Sequence, residues 1–445
     1  MTSGTIWKLL LSFALPMLIG QVFQLLYSTV DSVVVGRFVG KEALAAVGST
    51  SSIINAMIGF FTGMAMGAGV VISQSFGARD TKGVHDAVHT ALLLTFAAGL
   101  IVTAVGVTAT PALLRFMDTP PDVLDEAITY LRIYFSGVMG LMYYNIGSGI
   151  LRAVGDSRRP LYFLIFSACT NVVLDLLFVV AFRMGVAGVA WATVISQFFS
   201  AILTLTVLAR SRESYRFIPR DLRLHPHILR RVLAIGLPSG LQNSVVSFSN
   251  VFVQAYINAF QSSCMAGWAS YNRLDAFAWL PMMCLGMGIT TFAGQNLGAG
   301  KVKRAREGAR VALLMSCVGT AVIVILLMLF ADQALLLFNS DPEVIRYGRM
   351  FILYLSPFYV PFCVSQIYAG ALRGAGASSY PMIICIFSFV LFRQAYLFIG
   401  TRLITSPIFV GLSYPAGWLM SSTLMYIAYK KGNWQKRITV PAASE

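Results

Sequence analysis

Gln74-Ser75-Phe76-Gly77-Ala78 recurs as Gln295-Asn296-Leu297-Gly298-Ala299, an offset of 221 residues. Working outward, Lys82 meets Lys303, and Ala91-Leu92-Leu93 meets Ala312-Leu313-Leu314, in the same register. Leu151-Arg152, Gly155 and Pro160 then meet Leu372-Arg373, Gly376 and Pro381. Ala14-Leu15-Pro16 aligns with Gly236-Leu237-Pro238 at nearly that spacing. Chance likeness between apolar segments would not keep polar and turn residues in one register, so the chain is an internal duplication.

The residues between these landmarks say what is duplicated. The chain is 57% apolar and 11% charged, against about 25% charged in an ordinary soluble domain. Too little polar surface remains to cover a soluble body of 445 residues, so lipid must cover much of it. A spanning helix needs about 20 mainly apolar residues. Such runs fall at 9–36, 46–76, 90–112, 126–150, 160–182 and 186–209, then at 232–259, 265–295, 309–330, 344–371, 380–400 and 407–429. The expected fold is all-α and integral to the membrane, with twelve transmembrane helices. Six per copy is even, so the two bundles enter from the same side. They are expected to be parallel and related by a pseudo-two-fold along the membrane normal. The expected organisation is an N-terminal lobe (1–209), a basic linker (210–231), a C-terminal lobe (232–430) and a tail (431–445).

The formal charge of +15 raises nucleic-acid binding as an alternative. The basic residues instead cluster in short segments between apolar runs, chiefly Arg210 to Arg231 and Lys301 to Arg310. That bias excludes a nucleic-acid stripe and places both termini in the cytoplasm of a cell-membrane protein. The six cysteines lie in apolar runs without a CxxC, and read as small hydrophobes. No Walker A sequence is present, so no ATPase motor is expected. No predicted span contains a histidine, which disfavours a membrane-embedded enzyme. The four histidines read as solvated loop residues.

Charges inside spans are costly and so mark function. The acids are Asp31 in run 1, Asp175 in run 5 and Asp275 in run 8; the arginines are Arg273 and Arg393. Asn171 and Asp175 share a helix face at four-residue spacing, and Thr193 is one short loop away. Carboxylates with an amide and a hydroxyl are hard oxygen ligands that suit a small cation or protons. At the repeat offset Asn171 becomes Phe392, Asp175 becomes Tyr396 and Asp31 becomes Phe252 or Val253. The acid set is therefore peculiar to the first copy. Arg273, two residues from Asp275, does not share its face.

Leu15-Pro16, Asp31 with Val35-Gly36-Arg37, the paired Gln74 and Gln295 motifs, Leu151 to Asp156 and Asn171 to Asp175 together resemble the multidrug and toxic-compound extrusion (MATE) family. The likeness spans roughly residues 5–430. Asp275 with Thr291-Phe292 is most similar to the branch of bacterial damage-inducible and staphylococcal-type exporters. The resemblance implies an antiporter, not an enzyme, that moves cationic or amphipathic compounds against H⁺ or Na⁺ and needs no other cofactor. It implies a cation-coupling site at Asp31, Asn171, Asp175 and Thr193, with no metal beyond a Na⁺ there. Asp275 is then a second-lobe coupling or substrate residue. Some members carry a Glu eight residues after the Leu-Pro proline of helix 7, where this chain has Val246. Expected walls of a substrate cleft are Gln21, Gln24, Tyr27, Tyr143, Gln242, Asn243, Trp279, Met282 and Met283, because aromatic faces hold cations and methionines adapt to shape. Partners are small molecules and the bilayer, and the chain is expected to act as a monomer. The alternative within the superfamily is a lipid-linked oligosaccharide flippase, disfavoured by twelve runs and few central arginines.

Overall fold

The computed structural model describes residues 1–117, 119–432 and Trp434, and every described regular element is helical. Twelve rods follow the twelve apolar runs. The first copy comprises Ile6–Val34, Lys41–Gly77, Thr81–Phe116, the pair Pro121–Ser136 and Val138–Ala153, Arg158–Asp175, and Gly185–Arg210. The second comprises Pro226–Ile257, Ser262–Gly298, Val302–Leu329, the pair Pro342–Leu355 and Tyr359–Gly374, a rod from Ser379–Cys385 to Arg393–Gly400, and the pair Pro407–Gly411 and Ser413–Lys431. Among the described residues nine helices are long and apolar enough to cross a membrane. The other three rods are the one broken at Gly137, the Ser-, Asn- and Gln-rich Pro226–Ile257, and the one broken at Leu412.

The outer faces are those of a protein in lipid. On Val302–Leu329, residues Leu314, Val318, Val322, Ile325 and Leu329 form one stripe at helical spacing, each more than half exposed. In water such a stripe would be an aggregation surface; against acyl chains it is solvated.

The chain packs as two compact units, Met1–Leu18 with Pro238–Glu445, and Ile19–Leu237. The cuts fall inside helices, beside Pro16 and Pro238, not at the linker 210–231. The cause is local packing. Ile6, Leu10, Phe13, Ala14 and Met17 are buried in one core with Leu285, Ile289 and Phe292. Val232 and Ile235 are buried in another with Ala68, Val71 and Ile72. The second of these contacts is very close. A Cβ on Gly67 would lie 2.5 Å from the Cα of Gly236, so Gly67 requires hydrogen, while one on Gly236 would sit tightly at 3.1 Å from the Cα of Met64.

The repeated motif holds the chain entering each bundle. Arg231 donates from Nη2 to Oε1 of Gln74 at 2.8 Å. In the other unit Asn296 donates to the carbonyl of Met1, Lys301 to that of Thr2 at 3.0 Å, and Arg304 to that of Gly4 at 2.7 Å. The turns that follow are also alike: Arg79 and Gly300, equivalent in register, are both left-handed (φ 58° and 72°), as are Gly155 and Gly376.

His89 departs from expectation, while His227 is exposed, as expected. His89 is fully buried, with Nδ1 2.8 Å from the carbonyl oxygen of His85 and Nε2 accepting from the N–H of Ile218 at 3.0 Å. His85 lies 3.3 Å from Asp221, and His225 lies 3.6 Å from Asp86. The linker is thus fastened to its own unit, and its backbone polar groups find partners there, as at the Ile218 amide. His89→Ala removes that acceptor and is expected to cost about 1–3 kcal/mol. Hydrogen exchange at the Ile218 amide reads it, and unchanged protection would refute the fastening.

The cysteine expectation also needs amendment. Cys264, Cys284, Cys363 and Cys385 are buried, but Cys169 is exposed and Cys317 half-buried.

Candidate functional site

Three helix segments converge where the sequence placed the ion ligands. The helix carrying Asp31 ends at Val34 and continues as a π-helical stretch, Val35–Val39; the helix ending at Asp175 continues as another, Leu176–Ala181. Such π segments widen a helix locally and are frequent at functional sites. Val34, Val35, Val179, Val186, Val189 and Ala190 are buried in one cluster. Val34 and Val35 follow Asp31 by about one turn, Val179 follows Asp175 by one turn, and Val189 precedes Thr193 by one turn. The apolar cluster therefore brings together the backbones that carry Asp31, Asp175 and Thr193.

Asp175 is fully buried and Asn171 is 3% exposed. Neither the Oδ1 nor the Nδ2 of Asn171 has a hydrogen-bond partner among the described residues. An unmatched buried amide costs about 1–3 kcal/mol, which a structural role would not maintain. Thr193 donates to the carbonyl of Val189 at 3.0 Å, leaving its oxygen lone pairs able to accept a cation. Ser167 donates to the carbonyl of Ser196 at 2.8 Å and ties the Asn171 helix to the Thr193 helix one turn away. The side chain of Asp31 lies outside the described ones. Asn171→Leu is expected to stabilise the fold by about 1–3 kcal/mol while weakening transport, since it replaces an unmatched amide by an apolar isostere. A fall in thermal stability would show that the amide is satisfied.

Two residues of this unit were missed. Tyr134 takes a side-chain hydrogen bond from Gln197 and lies in electrostatic range of Tyr27. Gln197 is one turn beyond Thr193, and Tyr27 one turn before Asp31. The same four-residue rule that paired Asn171 with Asp175 would have flagged Gln197, whereas Tyr134, on another rod, carries no such signal.

In the other unit Asp275 is half-buried with a fully enclosed Oδ1. Trp279 and Tyr271 are its hydrogen-bonding neighbours, and the Tyr271 hydroxyl is 2.6 Å from that of Tyr359. Trp279 packs edge-on against Phe362 at 5.1 Å. An acid ringed by aromatic faces is a fit for an organic cation or a proton. Arg273 takes no part in it; the guanidinium lies over Phe338.

The proposed walls divide. Gln21, Gln24 and Tyr27 are half-buried and Met283 is 38% exposed. Met282 is fully buried in the core around Ala278 and Trp418, and so lines no open surface. Successive side chains on a helix point about 100° apart, so Met282 and Met283 could not share a role. Tyr143 donates to the carbonyl of Leu92 at 3.5 Å, and Gln242 to Sγ of Cys385 at 3.1 Å. These are helix–helix ties. Asn243 is half-buried on the same rod as Gln242.

Comparison with known proteins agrees with this architecture. The MatE family profile matches residues 16–177 and 238–398, one block per repeat. A probable multidrug resistance protein of Bacillus subtilis, YpnP, is 29% identical over 434 residues, covering 98% of this chain and 97% of its own. The probable multidrug resistance protein NorM of Thermotoga maritima is 26% identical over 443 residues, covering 97% and 93%. An outward-facing multidrug resistance transporter of the MATE family superimposes with a TM-score of 0.91 at 24% identity, over 98% of each chain. A duplicated bundle of membrane helices, matched by one family profile in both copies, makes this chain a member of the MatE family of transporters.

Proposed function

We propose that the chain is a secondary antiporter that exports cationic or amphipathic small molecules in exchange for H⁺ or Na⁺ by alternating access. The relatives named as multidrug resistance proteins support the substrate class. The observation that carries the coupling is Asn171, a buried amide unmatched among the described residues, one turn from the buried carboxylate of Asp175. Asp31 and Thr193 complete the ion set. Ion binding there favours one access state through differential affinity, and the substrate binds the other. Asp275, with Tyr271 and Trp279, is the acidic element of the second unit available to a cationic substrate or a proton.

The basic loops support a cell-membrane protein with both termini in the cytoplasm, and the chain acts as a monomer. Purified protein in liposomes, with ΔpH and ΔNa⁺ imposed independently, tests the reading. Dye export should follow one of the two gradients. Export indifferent to both would sink antiport, and lipid-linked sugar flipping without dye export would favour the flippase.

A further inference from the structure

We propose that Arg393 is a tethered cation, filling in the second unit the place that the first unit leaves for a diffusible ion. The equivalence rests on the reading of Asp31, Asn171, Asp175 and Thr193 as an ion site.

The repeat register sets the correspondence. At 221 residues Thr193 becomes Tyr414 and Val172, beside Asn171, becomes Arg393; at the 222 that relates Pro16 to Pro238, Tyr27 and Ser28 become Ser249 and Asn250. These four counterparts meet. Arg393 is 1% exposed. Its Nη2 donates to Oγ of Ser249 at 2.7 Å and to Oδ1 of Asn250 at 2.9 Å. The guanidinium carbon lies 4.8 Å from the ring centre of Tyr414 and 5.5 Å from that of Phe389. A hydroxyl, an amide oxygen and two aromatic faces are ligands chosen for a cation.

Among the described residues no carboxylate pairs with this arginine, and its Nε has no hydrogen-bond partner. A helix–helix strut would ordinarily take an acid for so costly a charge. Tyr414 interacts electrostatically with both Arg393 and Asp275. A π-helical stretch, Ile386–Phe392, directly precedes Arg393, as π segments flank the acids of the first unit. Where the second copy lacks counterparts of Asp31 and Asp175, it carries a covalently attached positive charge. On this reading only the first unit exchanges an ion at this level.

Arg393→Ala in the full chain, purified in detergent and in liposomes, tests the assignment with guanidinium chloride at low millimolar concentration as the probe. Urea, its neutral near-isostere, and NaCl are the controls. The variant should melt several degrees below the wild type and export dye several-fold more slowly. Guanidinium should recover at least half of both losses, and urea and Na⁺ neither. Equal recovery by urea, or none by guanidinium, overturns the proposal. Where Arg393→Ala yields no folded protein, Arg393→Lys should exceed Arg393→Met in stability and transport; Met equal to or better than Lys overturns it. The melting readout does not depend on coupling. Guanidinium rescue together with an unaffected Asp175→Asn variant would refute the first-unit ion site and leave the tethered cation standing.

Discussion

Asp175→Asn is expected to reduce gradient-driven dye export by about 10–100-fold at matched expression. The estimate follows from the loss of one charge-assisted ligand, about 1.5–3 kcal/mol, at about 1.4 kcal/mol per decade. The substitution keeps shape and burial, so the folded amount should hold while coupling falls. The carboxylate is fully buried and sits where its helix passes into the π stretch Leu176–Ala181, so no second acid on that rod can replace it. Export is measured in liposomes under each imposed gradient. Wild-type rates in the variant, still dependent on the gradient, would remove Asp175 from the coupling site.

Gly67→Ala is expected to destabilise the unit Ile19–Leu237 by about 3 kcal/mol or more, the upper end of overpacking costs. A methyl there would meet the Cα and N of Gly236 at 2.5 Å and the carbonyl oxygen of Val232 at 2.7 Å. All three are backbone atoms, which no rotamer change can move. The two rods must separate, and the core that holds Val232 and Ile235 against Ala68 and Ile72 opens with them. Gly48→Ala is the control, since nothing lies within 4 Å of a Cβ there. Melting temperature and folded yield report the difference, and equal behaviour of the two variants would disprove the close approach. The equivalent approach in the other unit is looser: Gly288 faces the ring edge of Phe13 at 3.5 Å. The same substitution should be milder there.

Much of the candidate site was legible because its signals are local. Asn171 with Asp175 and Tyr27 with Asp31 are same-face pairs within single helices, and an acid in an apolar run announces itself. Tyr134 was not legible, since it joins Gln197 and the neighbourhood of Tyr27 from another rod. Met282 was misjudged for a related reason: a stretch that is apolar all round does not show which side meets protein and which meets lipid. His89 failed differently. His85 and His89 look solvated beside charged loops, yet the linker folds back over them.

By itself the sequence determined that the chain is an integral membrane bundle, that it is a duplication, and that Asp31 and Asp175 have no acidic counterparts in the second copy. Those are properties of composition and register, which need no knowledge of distant neighbours. Tertiary structure decided the rest. The Gln74 and Gln295 motifs anchor the incoming chain through partners such as Arg231 and Met1. The compact units are cut within helices at Leu18 and Pro238. Arg393 reaches Ser249 and Asn250 from another rod. In each case the deciding contact joins residues more than a hundred positions apart, and close packing, not local pattern, selects it.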